Sequence, residues 1–167
     1  NMKKILENKR EIIEYFQKGS KPKQSWKIGT EHEKFLYDLK TLQPIDYYGK
    51  NGIKSLFKLL KKKGWKEVIE DKNPIALKKK GSTISLEPRC QIELSGGTVK
   101  TIHETCRQAK IYLDELKTIC EKKKLGILGI GYYPKNFKKN TGWVPKKRYS
   151  IMKKRMKMTG SHGLEMM

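Results

Sequence analysis

An α+β fold, with an antiparallel β-sheet flanked by helices, is predicted by two patterns in this 167-residue chain. From residue 65 to about residue 95 the sequence breaks into short extended pieces, WKEVIED, PIALKKKG, STISLEP and QIELSGG, separated by proline and glycine. Such pieces read as antiparallel strands joined by tight turns. On either side of them, apolar residues recur at three- and four-residue intervals, the spacing of a helix face.

In order along the chain, Ile5, Leu6, Ile12, Ile13 and Phe16 place a helix over residues 3–17, and KGSKPKQ (18–24) ends it. Residues 1–23 are thus a terminal helix and linker. SWKIGTEHEKFLYDL alternates as a strand, and LKTLQPI reads as a turn and a short return strand. GIKSLFKLLKKKG (52–64) is a basic amphipathic helix closed by Gly64. After the strand-rich stretch, Val99, Ile102, Cys106, Ala109, Leu113, Leu116 and Cys120 form one apolar seam on a long helix. Thr101 and Glu104 have capping-box spacing, and Lys122–Lys124 followed by Gly126 suit its carboxyl end. The seam puts Cys106 and Cys120 on the buried face, roughly 21 Å apart and out of disulfide reach. GILGIGYYP (126–134) reads as a glycine-rich strand. Its glycine order is reversed from that of a nucleotide loop, and it follows a helix. KKRYSIMKKRMKM (146–158) is a short basic helix, and GSHGLEMM resembles the start of another strand. The chain looks cut there.

Composition narrows the classes. The length suits one ordinary domain. There is no apolar run of about 18 residues, so no membrane span is expected. Three cysteines without paired spacing argue against a disulfide scaffold, and a reducing cytoplasm is the default compartment. The formal charge is +22, which invites a nucleic-acid partner. Against it, 34 of the 39 basic residues are lysine and only 5 are arginine, whereas base readout favours arginine. The lysines also lie in scattered short runs. A basic nucleic-acid-binding module is kept as the alternative function.

The residues that carry chemistry are glutamates. In GTEHEKF (29–35), Glu31 and Glu33 share one strand face, about 7 Å apart, while His32 faces the other way. In STISLEPRCQIELSG, Glu87 and Glu93 run in opposite phase to Ile84, Leu86, Ile92 and Leu94. A turn at Pro88–Gln91 would set Glu87 and Glu93 across a hairpin. Four carboxylates on one sheet face repel unless a cation lies between them. Mg²⁺ suits such oxygen ligands and bridges to substrate phosphates; solvated residues on an open face are the plainer reading. A zinc site from His32, Cys90 and Cys106 has no spacing support.

GTEHEKF, ISLEP with QIELSG, TIHETC, LGIGYYPK, PKKRYSIM and MTGSHGLEMM occur together, in an order that resembles glutamate–cysteine ligases of the plant and proteobacterial type, over about residues 24–167. The resemblance implies a glutamine synthetase-like ligase fold, an antiparallel cradle of which this chain is the N-terminal part of a single catalytic domain. It implies ATP-dependent formation of an acyl phosphate on the γ-carboxylate of L-glutamate. Attack by the amine of L-cysteine then gives γ-glutamylcysteine, the first step of glutathione synthesis. Carried over residue by residue, Glu31, Glu33, Glu87 and Glu93 hold Mg²⁺, with Glu31 and Glu93 also serving the nucleotide. Arg148 clamps a substrate carboxylate or phosphate, and Met166 and Met167 wall the amino-acid pocket. L-Glutamate, L-cysteine and ATP are the expected partners, with a homodimer of the full-length protein left open. Two departures stand out. The family has Gly-Gly where this chain has Arg89-Cys90, which is expected to strain the turn or crowd the site. The family also continues beyond residue 167, so the fragment alone is expected to be inactive.

Overall fold

The computed structural model describes residue 5, residues 7–134, residues 142–165 and residue 167. Six strands make one sheet in the order β2-β3-β4-β5-β1-β6, antiparallel at every paired edge. They are β1 (Glu31–Asp38), β2 (Lys66–Glu70), β3 (Asn73–Lys79), β4 (Ser82–Leu86), β5 (Ile92–Ser95) and β6 (Leu125–Leu128). The helices are α1 (Lys9–Gly19), α2 (Ile53–Lys61), α3 (Ile102–Lys123) and α4 (Lys147–Thr159). The predicted α+β class is what the chain adopts.

The period of two along each strand divides the sheet into two chemically different faces. Leu36, Ile84, Leu86, Ile92 and Leu94 are buried on one face. They join Ile53, Leu56, Phe57 and Leu60 of α2 and Tyr112, Leu116 and Ile119 of α3 in a single core. On the other face lie the in-between residues, Glu31, Glu33, Ser85, Glu93 and Ser95. One helix layer thus supports the sheet from behind and leaves the carboxylate face in front.

Trp65 and Lys79 lock α3 onto the hairpin. The Trp65 indole N–H donates to Glu115 Oε2 at 2.7 Å, and Lys79 Nζ meets Glu115 Oε1 at 2.6 Å. Gly64 does end the turn after α2, with φ of +90°, a conformation open to glycine.

Several boundaries differ from the sequence reading. The first helix begins at Lys9, because Asn8 caps it by accepting from the Glu11 N–H. Leu6 lies outside the described residues. α1 buries none of its side chains, and Phe16 is 72% exposed. The return strand after β1 is a single bridge, Tyr37 with Pro44; proline has no N–H with which to extend a ladder. Glycine-rich residues 126–134 are strand only as far as Leu128. There, a Cβ on Gly126 would sit 2.2 Å from Tyr37 Cζ, so the glycine admits the ring. The stretch from Gly160 forms successive turns in place of a strand, through Gly163 N–H to Gly160 O and Glu165 N–H to His162 O.

The long helix is capped as expected, with Thr101 and Glu104 reciprocally bonded. Its end is made by Lys124, in the left-handed region at φ 55°, and not by Gly126. Its buried face is also rotated from the expected seam. Thr105, Tyr112, Leu116, Ile119 and Cys120 are buried, whereas Cys106 is exposed and Ile102 is 56% exposed. The two residue rows converge at Leu116 and Cys120 and diverge towards the amino end, so Cys106 and Cys120 do not share the core face.

Candidate active site

Strand register brings the predicted carboxylates together. Glu33 and Glu93 are direct cross-strand partners, and Glu93 is flanked on its other side by Ser85. Glu31 stands opposite Ser95. At the end of β4 the chain reverses through residues 88–90. Glu87 N–H donates to Gln91 O at 2.9 Å and Cys90 N–H to Glu87 O at 3.0 Å. That turn sets Glu87 two residues beyond Ser85, on the face of Glu93 and diagonal to it. The hairpin expected from sequence is therefore present.

Glu93 is the anchored member. Ser85 Oγ donates to its Oε2 at 2.9 Å and Ser95 Oγ to its Oε1 at 2.8 Å. These hydroxyls fix the carboxylate plane while leaving further lone pairs on both oxygens. Glu87 is the strained member. Burial first, then the charges of Glu93 and Glu33, hold its carboxyl above the ordinary range, while Lys146 and Arg148 pull it back. The chemistry of this donor set fits a hard divalent cation, which prefers oxygen ligands. Among the described residues, no three His, Cys, Asp or Glu side chains converge to enclose a metal by themselves.

Cations stand at the rim, on α4 and the residue before it. Lys146 Nζ donates to Leu86 O at 2.9 Å. Burial, and next the Arg148 charge, lower its pKa, whereas Glu87, Glu93 and Glu70 oppose that shift. Arg148 is exposed on the first turn of α4, 5.1 Å from the Tyr149 ring. Its charge is the least of the influences on the Glu87 carboxyl. The buried Tyr149 hydroxyl donates to Leu86 O and ties α4 to the end of β4.

Beside Glu87 lies a small pocket of about 110 Å³, lined among others by Phe35, Arg89, Gln91, Tyr133 and Met167. Met167 therefore borders the site, and Met166 lies outside the described residues. Phe35 and Tyr133 meet edge to face at 5.2 Å. His32 is on the opposite face of β1, as expected. Its Nε2 is buried without a hydrogen-bond partner among the described residues.

The Arg89-Cys90 departure is accommodated by its surroundings. Cys90 has φ of +64°, a left-handed position that suits glycine. Its thiol packs in the core and donates to Gly142 O at 3.1 Å, and burial raises its pKa strongly. The Arg89 guanidinium lies 4.0 Å from the Trp143 ring centroid, and Lys153 Nζ lies 4.3 Å from the same ring. The side chains thus hold segment 142–144 against the hairpin.

Sequence reasoning missed Ser85, Ser95, Lys146 and Tyr149. The two serines had a signal: each is two residues from a site glutamate, hence on the same face.

A family model for glutamate-cysteine ligase family 2 matches residues 27–167. The chain is 43% identical over 163 residues to a glutamate–cysteine ligase of Medicago truncatula, covering 95% of this chain and 31% of the relative. It is 41% identical over 160 residues to glutamate–cysteine ligase A of Oryza sativa subsp. japonica (95% and 32%). With the Arabidopsis thaliana enzyme of the same name it shares 39% over 161 residues (94% and 30%). The chain thus spans about a third of the length of these relatives. All three relatives are named chloroplastic, which overturns the expectation of a cytoplasmic protein; the default drawn from unpaired cysteines cannot tell one reducing compartment from another. With its matched segment running from before β1 through α4, the chain belongs to glutamate–cysteine ligase family 2.

Proposed function

We propose that this chain supplies the Mg²⁺–ATP platform and part of the glutamate site of an ATP-dependent ligase that makes γ-glutamylcysteine. The observation that carries the reading is the row of Glu31, Glu33, Glu87 and Glu93 on one sheet face, rimmed by Lys146 and Arg148, in a chain of this family. The relatives' names extend the proposal to a plastid compartment.

In this reading Glu33 and Glu93, with Glu31 and Glu87 beside them, would hold Mg²⁺, which would supply positive charge against the phosphate oxygens. Ser85 and Ser95 keep Glu93 in its ligating orientation. Arg148 orients a substrate carboxylate or phosphate through its planar fork, and Lys146 adds a fixed point charge. The γ-carboxylate of L-glutamate attacks the terminal phosphorus of ATP and ADP leaves. The amine of L-cysteine then attacks the acyl carbon, phosphate leaves, and the amine loses a proton. Pocket residues Phe35, Tyr133 and Met167 exclude water from the acyl phosphate.

The test is phosphate release by the full-length protein with ATP, Mg²⁺ and L-glutamate, with and without L-cysteine. Sustained release that needs both amino acids is the expected result. Release indifferent to L-cysteine, or none at all, contradicts the reading.

A further inference from the structure

The run KKKG occurs twice, at residues 61–64 and 78–81. Each run ends in a glycine in the left-handed region, Gly64 at φ +90° and Gly81 at φ +82°, so each closes a turn. The fold brings the two turns together. Lys66, just past the first glycine, is the cross-strand partner of Lys78 in the second run, and Lys78 pairs in turn with Thr83. The neighbouring pair, Leu77 with Ile84, is in the core, so Lys66, Lys78 and Thr83 stand on the open face of the sheet. Register thus sets two lysines directly opposite each other, where like charges repel.

A cavity of about 690 Å³ lies at this corner, lined among others by Lys66, Lys78, Lys80 and Thr83. Lys79, also at its wall, is taken by Glu115 at 2.6 Å, and Lys61 of the first run by Glu67 at 2.7 Å. Lys66, Lys78 and Lys80 form no ion pair among the described residues, and all three are exposed. Among the described residues no carboxylate lines the cavity.

The donor set narrows the ligand. Unpaired lysines converging from two turns call for multiple negative charge. Lysine serves phosphate as a point charge, whereas the planar edge of a carboxylate is matched better by the arginine fork. No arginine or aromatic side chain lines the cavity among the described residues, so it supplies neither base readout nor base stacking.

We propose that this corner binds a small molecule carrying clustered phosphate groups. One phosphate lies between Lys66 and Lys78 and relieves their repulsion, Lys80 meets a second, and the Thr83 hydroxyl donates beside them. The site is separate from the carboxylate group. Lys66, Lys78, Thr83, Ser95 and Glu31 make one cross-strand row, in which Lys78 is three strands from Glu31, roughly 14 Å at the usual strand spacing. The proposal does not rest on the ligase reading.

The experiment is a calorimetric titration of the full-length protein, free of divalent metal and at physiological ionic strength, with sodium tripolyphosphate, and with citrate as a multiply charged carboxylate control. Saturable binding of tripolyphosphate is expected, with citrate weaker. Lys66→Gln and Lys78→Gln should each weaken tripolyphosphate about two- to fivefold, and the double variant more. Both lysines are exposed, so these variants keep the fold. Without probe their melting temperature should be unchanged or raised, since each removes a like-charge pair. The double variant Lys117→Gln/Lys122→Gln, at exposed positions of α3, removes the same charge elsewhere and should bind as wild type does. Absence of saturable binding overturns the proposal, as does unchanged affinity in Lys66→Gln and Lys78→Gln. Equal weakening by the α3 double variant assigns binding to the net charge of the chain and also overturns it. Citrate binding as tight as tripolyphosphate overturns the phosphate assignment. A short DNA duplex that binds more tightly than tripolyphosphate, and loses affinity in Lys66→Gln and Lys78→Gln, assigns the corner to nucleic acid and overturns the small-molecule site.

Discussion

In the proposed site, Glu93 is the carboxylate whose orientation the fold fixes. Both of its oxygens accept from serine hydroxyls on its own sheet face, so its orientation is set before any ligand arrives. Removing such a supporting group from a metal ligand costs about 10- to 100-fold in metal affinity or activity. Ser95→Ala should therefore weaken Mg²⁺ dependence by about tenfold in steady-state assays, with the melting temperature little changed. Glu87 makes the complementary case. Its folded pKa is raised, so the folded state holds its proton to higher pH than the unfolded chain does. Stability from this group is thus highest below the ordinary carboxylate pKa and falls as pH rises through the folded value. Glu87→Gln should accordingly raise stability at pH 7 by a few tenths to about 1 kcal/mol, the scale of a like-charge cross-strand pair. The gain should vanish below about pH 4, as denaturant titrations at both pH values would show. The glutamates were legible in sequence because a strand's period of two is rigid. Lys146 was not, since a half-buried lysine beside carboxylates reads the same as a solvated one.

At the level of elements, the strands between residues 65 and 95 could be placed from turn residues and alternation alone. α3 could be placed but not oriented. Its apolar residues occupy two adjacent rows, and periodicity does not say which one meets the sheet; the cross-connection of Glu115 with Trp65 and Lys79 is a tertiary choice. The consequence falls on the cysteines. Cys106 is exposed, whereas Cys90 and Cys120 are buried, the Cys120 thiol being pushed up to about 12 by burial. A thiolate is the reactive form. Native protein should therefore take up one equivalent of iodoacetamide per chain, counting these three thiols, and Cys106→Ser should abolish that uptake. Full denaturation should release the other two. Protection of Cys106 together with Cys120 in the native state would restore the seam as first read.

Across the whole molecule, the sheet has two chemically different faces. Its helix-covered face buries the core, and Glu31, Glu33 and Glu93 lie on the other. Some of the lysines behind the chain's +22 charge pair locally, as Lys61 with Glu67 and Lys110 with Asp114. Among the described residues no helix is long and apolar enough to cross a membrane. What the sequence could not specify was how α4 docks. Only the fold reveals that Tyr149 and Lys146 reach the end of β4, and that Arg89 and Lys153 bracket Trp143 to close the turn at Cys90. The central claim remains the carboxylate face as a metal–nucleotide platform. Calorimetric binding of ATP to the full-length protein, with and without Mg²⁺, tests it most directly when wild type, Glu93→Gln and the exposed α3 control Glu121→Gln are compared. The account predicts Mg²⁺-dependent binding that Glu93→Gln weakens by about tenfold or more and Glu121→Gln leaves intact. Equal binding by wild type and Glu93→Gln would contradict it.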